Sequence, residues 1–365
     1  MDPSRTDHRA ADVSADPPDR DAAVFRGRPG RPAAAPGPPG GPAAQDPGRS
    51  GWSPERSGPP AGRKAPAPPR IAVIGGGAVG SYLAARAGQA GAEVLLCVRR
   101  GGFDRIRVES MPTGSTVEVP VRLLTEPAQL DQPVDWLVVA TKAHQTPGAR
   151  GWLRAALGNG RDVGVVVAQN GVRQADRVCP PMPRDAVLPA VVYINAELPE
   201  PGVVRHLAYG VLQVPDSGLG TSFAQVLPPG DVRLVDDFAT AAWSKLLSNS
   251  AANSLTALVG RGLEVLARPD LAELALAVMR ETAAVGRADG ARIPADAPER
   301  TLERLRHQPA GAGTSMLRDR LAGRPLEHDA LIGAVVRIGA SAGVATPTCA
   351  ALLPLLAAVN QDPDA

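Results

Sequence analysis

Lysine is almost missing from this chain: of 39 basic residues only Lys64, Lys142 and Lys245 are lysines. Lysine is a compact donor that can give up its proton when desolvated, which arginine effectively cannot do. A chain that uses arginine for nearly every other cation therefore draws attention to the positions where lysine is kept. Asparagine is scarce too, at six residues, and two of them, Asn249 and Asn253, lie close to Lys245. There are only three cysteines, Cys97, Cys179 and Cys349, far apart and in no metal-binding or redox spacing. That excludes a disulfide framework, gives no reason to expect a metal site, and fits a reducing, cytoplasmic location. No apolar run reaches the roughly 18 residues that span a bilayer, so no membrane partner is expected. Beyond residue 69 the charges balance at 29 Lys/Arg and 29 Asp/Glu, which leaves no electrostatic case for nucleic acid or an anionic membrane surface.

What is abundant is proline, unevenly. Met1–Pro69 holds 16 of the 38 prolines and almost no large apolar residues. Such a segment cannot bury enough surface to offset its ordering entropy, so residues 1–69 are expected to be a disordered tail. It has no apolar stretch of the kind a secretory signal needs. The remainder is long enough for two domains, with a boundary expected near Val235–Asp236.

From Arg70 the sequence RIAVIGGGAVGSYLAARAGQAGAEVLLCVRR reads as strand, glycine turn, helix, strand. IAVI suits a parallel strand buried on both faces. Gly75, Gly77 and Gly80 fit G-x-G-x-x-G where that strand gives way to a helix, with Ala78 and Val79 at its start. The first glycine permits the turn, the second lets a pyrophosphate approach the backbone, and the third lets helix and strand pack closely. The second strand ends in Arg99-Arg100, where a carboxylate for a ribose 2′-hydroxyl would otherwise stand. Two guanidiniums favour a 2′-phosphate, so the expected cofactor is NADPH (NADP). Two further strands run into Thr141-Lys142-Ala143 and Gln169-Asn170-Gly171, and ligands of open α/β sheets lie beyond such strand ends. Asn-Gly is also a strong turn pair, so a purely local role for Asn170 stays open.

After Asp236 helical periodicity takes over, which predicts an α/β doubly wound domain over 70–235 followed by an all-helical domain over 236–360. The first helix contains AAWSKLLSNSAANSLTAL, in which Lys245, Asn249 and Asn253 recur every fourth residue and so share a face. Lys245 is the one charge between Phe238 and Gly260. Either it snorkels to solvent, or the three line a polar cleft in which Lys245 gives a proton and the amides orient a ligand. Further on, Thr314-Ser315 follows a glycine-rich stretch, and Glu327-His328-Asp329 stands where another helix is expected to begin. Taken alone, the two carboxylates read as charges favouring that helix's positive end.

In combination these motifs resemble the ketopantoate reductase (2-dehydropantoate 2-reductase) family from about Arg70 to Leu355. The resemblance rests on the glycine turn, Arg99, Thr-Lys-Ala, Gln-Asn-Gly, the Lys-x₃-Asn-x₃-Asn helix and the Ser-Met-Leu…Glu-x-Asp segment, in that order. It implies a Rossmann domain followed by a helical domain similar to the C-terminal domain of 6-phosphogluconate dehydrogenases. It implies NADPH-dependent reduction of ketopantoate to pantoate for pantothenate and coenzyme A synthesis, with a small 2-keto acid as partner and a monomer or homodimer as assembly. It also implies roles: Lys245 and Glu327 catalytic; Asn249, Asn253 and Ser315 on the substrate; Gly75, Gly77, Ala78, Val79, Gly80, Arg99, Lys142 and Asn170 on the cofactor.

Three positions depart from the family pattern. Ala312, Leu263 and Ile332 stand where polar residues are common. They thin the polar shell expected around the substrate and keep two alternatives in play: a reductase of another 2-keto acid in a specialised pathway, and a non-catalytic NADPH-binding regulatory module.

Overall fold

The computed structural model describes residues 67–159, 162–309 and 311–359; the expectation for the proline-rich tail falls almost wholly outside them. Pro68 onward belongs to one compact unit, so the sheet and the helices can be described together.

The elements follow in the order β1 (Arg70–Ile74), α1 (Ala78–Gln89), β2 (Glu93–Cys97), β3 (Arg105–Ser110), β4 (Ser115–Pro120), β5 (Arg122–Leu124), β6 (Trp136–Val139), α2 (Thr146–Gly158), β7 (Gly164–Val167) and β8 (Val187–Pro189). Then come β9 (Val191–Glu200), β10 (Val203–Pro215), α3 (Gly218–Ala224), β11 (Val232–Val235) and six helices: α4 (Phe238–Val259), α5 (Pro269–Ala288), α6 (Ala297–Arg306), α7 (Ser315–Leu321), α8 (Ile332–Ala342) and α9 (Pro347–Val359).

Six strands form one parallel sheet in the spatial order β5-β2-β1-β6-β7-β8. The chain starts in the middle, at β1, builds outward to one side through β2 and β5, then returns to β6. That reversal opens a crevice at the carboxyl ends of β1 and β6, the usual ligand position in such sheets. Ile71, Val73, Leu137 and Val138 are fully buried, as expected of strands covered on both faces. A second sheet, built from β11, β10, β3 and β4 with β9 paired antiparallel to β10, lies alongside. Apolar residues of both sheets and of α1 share one core.

Helix α4 organises the rest. Asp237 caps its start by accepting the Thr240 N–H at 3.0 Å, and Gly260, at φ 74°, ends it in the left-handed conformation that glycine adopts at no steric cost. Helices α5, α6, α7 and α9 all pack on α4. It is consequently buried almost all round rather than along one stripe, so a polar residue on it must find a partner inside the protein. Among the described residues no helix is long and apolar enough to cross a membrane.

Candidate active site

The glycine turn is built for close approach. Gly75 sits at φ 113°, and a Cβ there would come 2.9 Å from the Thr141 amide nitrogen at the end of β6. A Cβ on Gly80 would lie 1.9 Å from the Gly75 carbonyl oxygen, so only glycine lets α1 pack on the turn. Gly77 is different: a Cβ there would meet nothing within 4 Å. It is the N-cap of α1, has no side chain to cap the helix, and no acid stands in the first turn. The N–H groups opened by Gly77, Ala78 and Val79 are therefore free of competing anions, and a pyrophosphate fits that position. Arg99 follows β2 as an exposed residue at the same edge.

Across the crevice the helical part reaches back to the sheet. Lys142, just beyond β6, donates to Asp319 on α7 at 2.7 Å and to Glu327 at 3.3 Å. Glu327 also accepts the Ala143 N–H at 2.9 Å and the Asn170 side-chain amide at 3.3 Å. Burial alone would raise the pKa of Glu327, but Lys142, the Ala143 N–H and Asn170 outweigh it and hold the carboxyl below its ordinary range. Burial likewise works against the Lys142 ammonium, and Glu327 with Asp319 hold its pKa above the usual range. Gln169, fully inside, donates to the Thr141 carbonyl at 2.9 Å and to the Thr146 hydroxyl at 2.9 Å, locking the ends of β6 and β7 in register.

The α4 stripe faces the same region. Lys245 and Asn249 line one small cavity together with Gln169, Asn170, Val191 and Val192, so helix and sheet each supply part of its wall. The Lys245 side chain, 8% exposed, donates to the Val192 carbonyl, and its ammonium lies 4.9 Å from the centre of the Tyr193 ring. Snorkelling to solvent is thereby excluded. One turn on, Asn253 accepts from the Ser315 hydroxyl and from the Met316 N–H, both at 3.1 Å. That fixes the start of α7 and leaves the Asn253 amide NH₂ buried without a partner among the described residues. The Asn249 side-chain oxygen is likewise buried without one. Buried, unmatched amide groups are costly and point to a ligand that completes them.

Two expectations change. The helix foreseen from His328 begins only at Ile332, because residues 327–331 form a turn in which the Ala330 and Leu331 N–H groups both bond the Glu327 carbonyl. Glu327 therefore does not favour its own helix; its carboxylate is spent on Lys142, Ala143 and Asn170. Asp329, by contrast, is exposed and pairs with Arg337 on α8. Asp319 was not foreseen at all, although it stands four residues after Ser315 and shares its face of α7. Ala312, Leu263 and Ile332 are buried in the helical core, with the Leu263 N–H bonded to the Ala312 carbonyl at 2.8 Å.

A six-stranded Rossmann-type sheet with an anion-ready glycine turn, joined to a helical part that presents a buried ammonium and amides to the crevice, defines a dinucleotide-binding oxidoreductase of the two-part kind. Residues 71–218 match Ketopantoate reductase PanE/ApbA and residues 237–360 match Ketopantoate reductase PanE/ApbA C terminal. The chain is 41% identical over 297 residues to the 2-dehydropantoate 2-reductase of Mycobacterium tuberculosis, covering 80% of this chain and 98% of that one. It also resembles the crystal structure of 2-dehydropantoate 2-reductase from Geobacter metallireducens, with 27% identity, a TM-score of 0.71, and 79% and 99% of the two chains covered. A dimeric ketopantoate reductase from Staphylococcus aureus shares the fold, with a TM-score of 0.70 at 24% identity and 80% and 99% of the two chains covered. The chain belongs to the ketopantoate reductase family.

Proposed function

We propose that this protein reduces 2-dehydropantoate to pantoate with NADPH, as a step of pantothenate biosynthesis, with residues 70–235 binding the cofactor and 236–360 supplying the catalytic groups. The observation that carries this reading is the shared cavity of Lys245, Asn249 and Asn170, with unmatched amide atoms on α4 beside the ammonium.

A bound nicotinamide supplies the hydride. The chain's own groups do the remainder. Negative charge develops on the substrate's ketone oxygen, where the Lys245 ammonium stabilises it and gives it a proton. The Val192 carbonyl and the Tyr193 ring hold that ammonium in place. Asn249 and Asn253 complete their hydrogen bonds on the polar groups of the keto acid, and the Ser315 oxygen, whose O–H is held by Asn253, adds an acceptor. Glu327 serves the reaction through Asn170 and Lys142, which its carboxylate holds, and so ties the helical part to the cofactor edge. Gly75, Gly77, Ala78, Val79 and Gly80 would hold the cofactor's pyrophosphate, and Arg99 its 2′-phosphate.

The test is the loss of NADPH absorbance with ketopantoate against a panel of other 2-keto acids, in the wild type and in Lys245→Ala. Ketopantoate should be preferred, and K245A should lower kcat by about 10²–10⁴-fold while NADPH still binds. Retained turnover in K245A removes the proposed acid. Another 2-keto acid is the second reading; preference for such a substrate would move the enzyme to another pathway. Arg99→Asp should weaken NADPH binding more than NADH binding, and equal losses would cancel the 2′-phosphate assignment.

A further inference from the structure

A larger cavity, of about 550 Å³, shares Ala143 and Glu327 with the site above, but it is not lined by the glycine turn, Arg99, Lys142, Asn170, Lys245 or Asn249. It lies where the segment after β7 meets α8, and its wall combines Arg177, Arg337 and His328 with the apolar Val172, Leu326 and Ile338. Its size is that of an ordinary small-molecule pocket.

The charges around it are unevenly satisfied. Asp329 pairs with Arg337, Asp176 with Arg184, and Glu327 with Lys142, so each acid of the wall already holds a cation. Arg177 has no such partner among the described residues. Its recorded bonds go to the Gln169 side-chain oxygen at 3.2 Å and the Val172 carbonyl at 3.4 Å, both neutral acceptors. Burial pulls its guanidinium below the usual pKa range, and Glu327, Asp329 and Asp176 nearby do not fully offset it. On the same wall the His328 Nδ1 is buried with no hydrogen-bond partner among the described residues. A half-buried guanidinium and an unmatched ring nitrogen beside an apolar surface are groups that an anion with a hydrocarbon body would satisfy together.

We infer that this cavity is a second ligand site, separate from those of cofactor and keto acid, that takes a small organic phosphate monoester. A phosphate has enough acceptor oxygens to meet Arg177, His328 and Arg337 at once, and the apolar tail lies against Val172, Leu326 and Ile338. Because Glu327 lines this cavity and also bonds Lys142 and Asn170 of the site above, occupancy would be sensed at the Lys142 ion pairs.

The probe is n-butyl phosphate, titrated calorimetrically into the full chain, alone and saturated with NADPH, with n-butanol as the neutral control. The expected result is one saturable site that NADPH does not block and butanol does not fill. Arg177→Met should weaken it by about tenfold or more, and Arg337→Gln by a smaller factor. Absence of saturable binding, complete competition by NADPH, or unchanged affinity in both variants would each overturn the proposal. Arg337 is exposed and its replacement is not expected to disturb folding, so R337Q still decides the matter if R177M fails to fold. Should NADPH itself not bind, the cofactor reading falls, while the arginine dependence in the free protein still tests this site.

Discussion

Asp319 holds Lys142 at 2.7 Å, and this ion pair joins α7 of the helical part to the end of β6 in the sheet. Lys142 is one of the groups through which the two halves meet, since the same ammonium also bonds Glu327. Asp319 is 3% exposed and accepts in addition from Arg324 at 2.9 Å, so its carboxylate is fully committed. Asp319→Ala would leave Arg324 without its partner and Lys142 with Glu327 alone. Lys142 keeps some solvent contact, so the cost falls short of that of a wholly buried pair, at about 1–3 kcal/mol. Chemical denaturation should show that loss, and Asp319→Asn should recover part of it; no change in midpoint for either variant would mean the ion pair contributes nothing.

The pH dependence of the same cluster has a definite sign. Glu327 is held below its ordinary value of 4.5, so its contribution is fully present above that value and lost as pH falls through the lowered one. Lys142 is held above 10.5, so its contribution is complete below that value and lost only as pH rises through the raised one. The stability difference between wild type and Glu327→Gln should therefore stay flat across the neutral range, narrowing in acid below about pH 4.5 and again in strong alkali as Lys142 loses its proton. A difference that changed between about pH 6 and 8 would show that another group titrates in the cluster.

How much of this the sequence disclosed depended on whether a residue acts within its own segment. The turn at Gly75–Gly80 and the Lys245–Asn249–Asn253 face are written in local spacing, one by the demands of a tight strand-to-helix junction and the other by helical period. Both were legible. Glu327 read locally as a helix-end charge, and its actual partners, Lys142, Ala143 and Asn170, lie between 157 and 185 residues away. Asp319 was overlooked for the same reason: nothing in Ser-Met-Leu-Arg-Asp says that a lysine from the sheet will arrive there. The antiparallel β9–β10 pairing also went unread, since its register is irregular in three places and gives no clean alternation.

The glycines offer a contrast that separates folding from binding. Gly80→Ala places a methyl 1.9 Å from a backbone oxygen that cannot move without breaking the turn, so folding should suffer by several kcal/mol, about the cost of severe overpacking. Gly77→Ala meets open space at an N-cap with φ −78°, which alanine adopts without strain. Alanine is the poorer cap, so stability should fall by about 1 kcal/mol, well short of the loss in Gly80→Ala. NADPH affinity should nevertheless fall, since the added methyl occupies the approach to the α1 N–H groups. Unchanged NADPH affinity in G77A would move the pyrophosphate away from this turn.

The two asparagines of α4 should respond in opposite ways to removal. Asn253 bonds Ser315 and Met316, so Asn253→Ala leaves the α7 start without its acceptor and should destabilise the fold by about 1–3 kcal/mol. Asn249 has a side-chain oxygen that is 2% exposed in its residue and unmatched, so it carries a desolvation cost in the free protein. Replacing it with the similarly sized leucine removes that cost, and Asn249→Leu should be neutral or more stable by up to about 1–2 kcal/mol. The same change deletes a partner for the keto acid, so KM should rise by about tenfold or more, the scale of one hydrogen bond to a buried group. Higher stability with weaker substrate binding is the signature of an amide kept for a ligand. If N249L instead lost stability and left KM untouched, Asn249 would be a structural residue and the substrate would have to lie elsewhere in the crevice.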